Sequence, residues 1–140
     1  MIIKGRHIQG MGGANRSIKR QKKFFEKLGL PGVEAVFNGT INLSTAPRKY
    51  KICRFDYFFP SVQYKFFPRK RTEDFGFISI IRLIHNSETF HNWGYIYVPH
   101  SSPHYGNEQM FELIGRKIEN FKPGDEISVE VADTAMEELP

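Results

Sequence analysis

The segment from Phe75 to His85 constrains the fold of this chain more than any other stretch. It is rich in Ile and Phe and almost continuous in apolar residues. A short apolar run of this kind is typical of a strand that is buried on both faces. The segment therefore predicts a central strand around which the other elements are arranged.

Shorter strand patterns flank this segment, and turn residues separate them. The pattern predicts strands over Met1–Gln9, Val33–Phe37 continuing into Gly39–Leu43, Ile52–Phe59 and Val62–Phe67 joined at Pro60–Ser61, Gly94–Val98, and Glu126–Val131. Many short strands combined with few helices favour a small mixed β-barrel.

Two helices are predicted from capping residues and apolar spacing. The first extends from a cap at Ser17 to about Leu28 and stops at Gly29. The second extends from a cap at Asn107 to about Asn120, with Met110, Phe111, Ile114 and Ile118 directed inward.

Length and composition predict one globular domain. The chain has 140 residues, of which 40% are hydrophobic, and no apolar run approaches the ~20 residues that span a bilayer. We expect a barrel domain over residues 1–132 and a frayed acidic tail over 133–140. The single cysteine, Cys53, excludes an internal disulfide and a multi-cysteine zinc site, and its apolar surroundings predict a packed thiol. A soluble, cytoplasmic protein is the expectation.

The charge of the chain favours anionic partners. The formal net charge is +5, with basic clusters at residues 16–27 and 69–71 and an acidic C-terminal segment. A basic balance of this size is compatible with nucleotides, nucleic acid or acidic surfaces and does not choose among them.

The strand around Thr40 and Asn42 predicts a metal site. Alternation puts Ile41 and Leu43 on one face and the oxygens of Thr40 and Asn42 on the other. Two neutral oxygens on a rigid strand suit Mg²⁺, which keeps room for water and phosphate oxygens. The alternative is a half-exposed strand whose polar side chains face water.

A glycine-rich loop precedes the first helix. Three glycines among residues 10–13 permit a close backbone approach to a ligand, and consecutive N–H groups there can form a nest for phosphate. The alternative interpretation is a flexible connector.

These motifs occur in an order that resembles the archaeal CTP-dependent riboflavin kinase family. The matching segments are Gly10-Met-Gly-Gly-Ala, Leu28-Gly29, Gly39-Thr-Ile-Asn42, Glu108 with Arg116, and Pro123-Gly-Asp125. The resemblance implies a mainly β (α+β) fold, namely a six-stranded cradle-loop β-barrel with two flanking helices. It also implies a Mg²⁺-requiring enzyme that uses CTP to phosphorylate riboflavin to FMN.

The resemblance further implies a role for particular residues. Thr40 and Asn42 would hold Mg²⁺, and Glu108 would act on the acceptor hydroxyl as a base or an orienter. Ser102, or its neighbour Ser101, would face the flavin together with Glu108. The nucleotide would contact two segments, Gly10, Met11, Gly12, Gly13, Ala14 and Asn15, and Leu113, Ile114, Gly115 and Arg116.

The chain departs from the family pattern in several places. Gly13 stands where the family prefers Glu, Val36-Phe37 replaces a Pro-Tyr pair, and the loop before Glu108 is about two residues shorter. The aromatic middle, Phe55 to Trp93, has no clear counterpart. Two alternatives therefore remain, a kinase with a different acceptor and a non-catalytic barrel that binds nucleotides or nucleic acid through basic and aromatic residues. We expect no membrane partner.

Overall fold

The computed structural model describes residues 1–8, 14–36, 39–66, 69–100 and 106–140, with the backbone alone at 14–20, 64–66 and 69–71. The helical elements are α1 (Ala14–Leu28) and a 3-10 turn (Val33–Ala35). The strands are β1 (Ile2–Ile8), β2 (Ile41–Ser44), β3 (Lys49–Ile52), β4 (Tyr57–Phe66), β5 (Arg69–His85), β6 (Glu88–Pro99), β7 (Met110–Gly115), β8 (Glu126–Glu130) and β9 (Met136–Leu139).

Six antiparallel strands form a closed barrel in the order β5-β6-β7-β2-β1-β8, and β8 pairs with β5 to complete it. The long strand β5 pairs with three neighbouring strands. It pairs with β4 up to Phe77, with β6 from Phe75 onward, and with β8 between Arg82 and Ile84. The predicted mainly β barrel and its central strand are therefore confirmed.

The apolar residues form two cores, one on each face of the barrel wall. The inner core includes Ile3, Leu43, Ile80, Leu113 and Val129. The outer core lies against α1 and the 3-10 turn and contains Phe25, Leu30, Val33, Val36, Phe75, Phe77, Tyr95, Tyr97 and Ile114. Full burial of a side chain such as Phe25, at 0% exposure, contributes about 1.5–3 kcal/mol. Strands β5 and β7 are thus buried on both faces.

Helix α1 ends as the sequence predicts but begins earlier. Gly29 has φ of 85° and its N–H donates to the Glu26 carbonyl, while the Leu30 N–H donates to the Phe25 carbonyl at 3.0 Å. These two bonds form a Schellman motif, which requires the left-handed conformation that glycine tolerates. Because the helix begins at Ala14, Ser17 lies inside it, and the prediction of Ser17 as the cap is wrong.

The predicted second helix is wrong, because Met110–Gly115 is strand β7 between β2 and β6. Phe111 and Leu113 face the inner core whereas Ile114 faces the outer core, so burial on both faces imitated helical spacing. Asn107 does bind a backbone N–H, that of Gln109 at 2.8 Å. This contact is an Asx turn that leads into a strand, and its local chemistry is the same as that of a helix cap.

Two strand predictions also require correction. Val33–Ala35 is a 3-10 turn rather than a strand, and Phe37 lies outside the described residues. The strand pair expected to meet at Pro60–Ser61 is the single strand β4. Its pairing with β5 shifts register between Phe59 and Val62, and Ser61 has φ of 51°, so the turn residues mark a bulge.

The C-terminal segment is ordered rather than frayed. Strand β9 pairs with β3, and Ala135 and Met136 are buried in the inner core. Cys53 is exposed, so the expectation of a packed thiol is wrong. In the part of the chain that the structure describes, no helix is long and apolar enough to cross a membrane.

Candidate functional site

Asn42 lies in a row of directly opposed residues that crosses four strands of the barrel. It is paired with Ile8 on β1 and with Glu112 on β7, and Glu112 is in turn opposite Tyr97 on β6. Directly opposed residues share a face of an antiparallel sheet, and Tyr97 belongs to the outer core. Asn42 therefore faces the side of the wall that α1 covers, where Tyr97 also binds Gln21 of the helix.

The Asn42 side chain is buried rather than half-exposed. The residue is 4% exposed, and its Oδ1 has no hydrogen-bond partner among the described residues. An unsatisfied buried acceptor is costly, about 1–3 kcal/mol. Its neighbour Ile8 is the last described residue before the glycine loop, whose Gly10, Met11, Gly12 and Gly13 lie outside the described residues. Ala14 and Asn15 begin α1, and their side chains are not described.

A cavity of about 280 Å³ opens at one mouth of the barrel. This mouth cavity is lined by His7, Gly39, Thr40, Ile41, Trp93, Leu113, Gly115, Arg116, Lys117, Ile118 and Phe121. The structure thereby brings Thr40 together with three of the residues predicted to contact a nucleotide. The lining includes two cations and no carboxylate, so the mouth cavity suits an anionic ligand.

Arg116 and Trp93 hold one wall of the mouth cavity. The Arg116 guanidinium donates to the carbonyls of Asn92 and His91, both at 3.1 Å, and the Trp93 indole donates to the Arg116 carbonyl at 3.0 Å. A Cβ on Gly115 would lie 2.5 Å from the Trp93 ring, so only glycine permits this packing. These hydrogen bonds fix the Arg116 guanidinium, a permanent positive charge, at the wall of the mouth cavity.

His7 also lines the mouth cavity, although none of the sequence motifs includes it. Its ring packs on Phe121 at 4.5 Å, and burial lowers the pKa of His7, so the imidazole is neutral at pH 7. Its backbone is held by two bonds, from the His7 N–H to the Asp125 carbonyl and from the Gly124 N–H to the His7 carbonyl. The sequence motifs also leave out Trp93, Lys117 and Phe121. Only the closed barrel brings these residues together with His7.

A turn behind Phe121 supports this wall. The Asp125 carboxylate lies 2.8 Å from Nε2 of the buried His85 and accepts the Lys122 N–H at 3.0 Å. The hydrogen bond from His85, followed by that from Lys122, lowers the pKa of Asp125. The carboxylate is therefore ionised and holds the 122–125 turn near neutral pH.

A second cavity of about 350 Å³ lies beside the start of β7. This aromatic cavity is lined by Tyr50, Lys51, Ile52, Phe55, Tyr97, Val98, Gly106, Asn107, Glu108, Met110, Phe111 and Glu112. Glu108 is exposed on the loop before β7 rather than at the start of a helix, and its carbonyl accepts the Tyr50 N–H at 2.9 Å. Ser101 and Ser102 lie outside the described residues.

Strand β7 connects the two cavities. Met110 borders the aromatic cavity and Gly115 the mouth cavity, roughly 16 Å apart for a strand that rises ~3.3 Å per residue. Asn42 is paired with Glu112 between them, whereas Ile114 is buried in the outer core. The predicted nucleotide segment is therefore a strand whose residues divide between a cavity and a core.

Thr40 and Asn42 are the residues that would hold a magnesium ion shared with a ligand, although Thr40 lines the mouth cavity whereas Asn42 lines neither cavity. Among the described residues, no group of three or more His, Cys, Asp or Glu could hold a metal ion. Thr40 at the mouth cavity and the unpartnered Oδ1 of Asn42 offer two neutral oxygens. Mg²⁺ is commonly bound with few protein ligands, and it completes its shell with water and phosphate oxygens.

No protein-family model matches this chain, and no curated protein matches it.

Proposed function

We propose that this protein is a Mg²⁺-dependent kinase that transfers a phosphoryl group from CTP to riboflavin and so makes FMN. The observation that carries the proposal is the buried Oδ1 of Asn42, which has no hydrogen-bond partner among the described residues. Asn42 is paired with Glu112 of the aromatic cavity and lies two residues after Thr40 of the mouth cavity. The resemblance of the sequence motifs supplies the identity of the two substrates.

The mouth cavity suits the phosphate donor. Arg116 is held at its wall by two backbone carbonyls, and the lining contains no carboxylate to repel a triphosphate. Thr40 and Asn42 would hold Mg²⁺, which neutralises developing charge on the phosphates when it is bound. The glycine segment that follows Ile8 would add backbone N–H groups to the same anion.

The aromatic cavity suits an acceptor with a flat ring system and hydroxyl groups. Tyr50, Phe55, Tyr97 and Phe111 supply apolar and aromatic walls, and Glu108 supplies a carboxylate. Aromatic walls with a few polar groups are typical of sites for ring-containing ligands. The same chemistry also fits other hydroxylated aromatic acceptors, which the assay below separates from riboflavin.

In the proposed reaction an oxygen of the acceptor hydroxyl bonds to the γ-phosphorus of CTP while the bond from that phosphorus to the β,γ-bridging oxygen breaks. CDP leaves with the bond's electron pair, and Glu108 accepts the hydroxyl proton or orients it toward solvent. Phosphoryl transfer depends mainly on positioning and charge stabilisation, so no covalent nucleophile is required.

The direct test is an incubation of the protein with Mg²⁺, riboflavin and each of CTP, ATP, GTP and UTP, with FMN measured by chromatography and fluorescence. We expect FMN with CTP and its loss when EDTA is added. FMN with another nucleotide alone would correct the donor. Transfer from CTP to a different flavin or alcohol, with none to riboflavin, would correct the acceptor.

A matched pair of variants ties the activity to the site. Thr40→Val should abolish turnover, since it removes the hydroxyl and keeps the β-branched shape. Thr89→Val makes the same change on an exposed residue of β6 and should leave turnover unchanged. Equal activity of the two variants would exclude Thr40 as a metal ligand.

A further inference from the structure

The hairpin of β4 and β5 extends beyond the barrel as a two-stranded ribbon. Pairing between β5 and β6 begins at Phe75, whereas pairing between β4 and β5 continues to Phe66 and Arg69. Among the described residues, positions 62–66 and 69–73 therefore have no third strand beside them. Val62 at the base of the ribbon packs against the outer core, and beyond that point the ribbon continues outside the barrel sheet.

The part of this ribbon around its turn is basic. The segment from Val62 to Thr72 contains Lys65, Arg69, Lys70 and Arg71 and no Asp or Glu. The segment carries a formal charge of +4, and Glu73 follows it; α1 is the other basic element, with six Lys or Arg and one Glu. Positive charge on a projecting element favours a polyanionic partner.

The strand register arranges these residues in a regular way. Tyr64 is opposite Arg71 and Phe66 is opposite Arg69, whereas Lys65 is opposite Lys70. Since positions two apart share a face, one face of the ribbon carries two successive aromatic–arginine pairs, ~7 Å apart. The two lysines share the other face, where directly opposed like charges destabilise the pairing. The sequence therefore keeps a charge arrangement that costs stability.

We propose that this ribbon binds single-stranded nucleic acid, with the aromatic residues stacking on bases and the cations contacting phosphates. Aromatic residues that alternate with cations along a strand are the combination that binds single strands without sequence preference. An anionic membrane surface is the alternative partner for a basic hairpin, and the vesicle measurement below distinguishes it from nucleic acid. The surface is separate from both cavities, so the proposal does not rest on the kinase assignment.

The test is fluorescence anisotropy of the full-length protein with a labelled single-stranded 12-mer of deoxythymidine, titrated at several salt concentrations. We expect the triple variant R69Q/K70Q/R71Q to bind at least tenfold more weakly at low salt. Its slope of log affinity against log salt should be smaller by about 2, since each phosphate contact contributes ~0.7 for single strands.

Two further variants distinguish binding by the ribbon from binding by the overall positive charge of the protein. The triple variant K4Q/K27Q/K49Q removes the same charge from three exposed lysines on β1, α1 and β3 and should bind as the wild type does. Tyr64→Ala should weaken binding about tenfold with the salt slope unchanged, because it removes a stacking platform and no charge. Circular dichroism and thermal unfolding would establish that all variants fold.

Three results would overturn the proposal. The first is equal binding by the two triple variants. The second is equal or tighter binding of a duplex 12-mer, which would indicate charge recognition without stacking. The third is retention on vesicles of phosphatidylglycerol and phosphatidylcholine with no oligonucleotide binding, which would indicate a membrane surface. The FMN assay should give wild-type activity for R69Q/K70Q/R71Q, so failure here is distinguishable from failure of the kinase proposal.

Discussion

The mouth cavity and the aromatic cavity share strand β7 but have opposite chemistry. Arg116 and Lys117 line the mouth cavity without any carboxylate, whereas Glu108 and Glu112 line the aromatic cavity with a single cation, Lys51. The two sites would therefore prefer an anionic and a neutral, ring-containing ligand respectively. The two cavities lie at opposite ends of this strand, since Glu108 precedes β7 whereas Arg116 and Lys117 follow it.

The comparison also shows where the two sites would meet. Asn42 on β2 is paired with Glu112, which lines the aromatic cavity, and lies two residues after Thr40, which lines the mouth cavity. If the kinase proposal holds, this pair marks the position at which donor and acceptor approach. Variants that act on one cavity alone test whether this division of roles is correct.

The largest effect is expected from Asn42→Leu. Leucine has a similar size and removes the unpartnered buried oxygen, so the melting temperature should stay the same or rise. Mg²⁺-dependent turnover should fall at least ~100-fold because a metal ligand is lost. Thermal unfolding and the FMN assay measure the two quantities. A fall in stability that matched the loss of activity would instead assign Asn42 a structural role.

Glu108→Gln is expected to have the next largest effect. The variant keeps the shape of the side chain and removes its basicity, so turnover should fall about 100-fold, the lower end of the range for a general base. Calorimetry should show CTP affinity nearly unchanged, since Glu108 lines the aromatic cavity alone. A loss of CTP affinity equal to the loss of turnover would contradict the separation of the two sites.

Arg116→Gln should affect the mouth cavity alone. We expect CTP affinity to fall about tenfold, because one charge-assisted contact to phosphate is worth ~1.5 kcal/mol or more. Arg48→Gln is the matched control, since Arg48 is an exposed cation that lines neither cavity. Riboflavin affinity, followed by quenching of flavin fluorescence, should be the same in both variants. Equal CTP binding by both variants would remove Arg116 from the donor site.

The smallest effect is expected from Asp125→Asn, which weakens the turn behind Phe121. The pKa of Asp125 is lowered in the folded protein, so its contribution to stability is complete above the unfolded pKa and is lost as pH falls through the folded value. The melting temperature of the variant should be slightly lower at pH 7 and should converge with that of the wild type at acidic pH, below the lowered pKa of Asp125. Exposed Glu119→Gln is the control. Equal melting temperatures of the variant and the wild type at pH 7 would show that the Asp125 carboxylate does not hold the turn.

The local chemistry of the sequence predicted some elements correctly and misled on others. Phe75–His85 and Gly29 were predictable because a continuous apolar run and a left-handed glycine each admit few structures. Asn107 was misleading because an Asx turn and a helix cap use the same side-chain bond. The paired tail at Met136 gave no local signal, since its partner, Ile52, is far away in the sequence.

In the candidate site, too, some features follow from local chemistry and others from the tertiary structure. Short motifs in the sequence point to Thr40, Asn42 and Arg116. The oxygens of Thr40 and Asn42 and the positive charge of Arg116 are properties of the sequence alone. The surroundings of these residues depend on the tertiary structure. The burial of Asn42 and the hydrogen bond from Trp93 to Arg116 require β1, β2, β6 and β7 to be joined in one barrel wall. The sequence by itself determined which groups can bind an anion or a metal ion. Only the tertiary structure decided which of them share a cavity, because strand pairing joins residues that the chain keeps far apart.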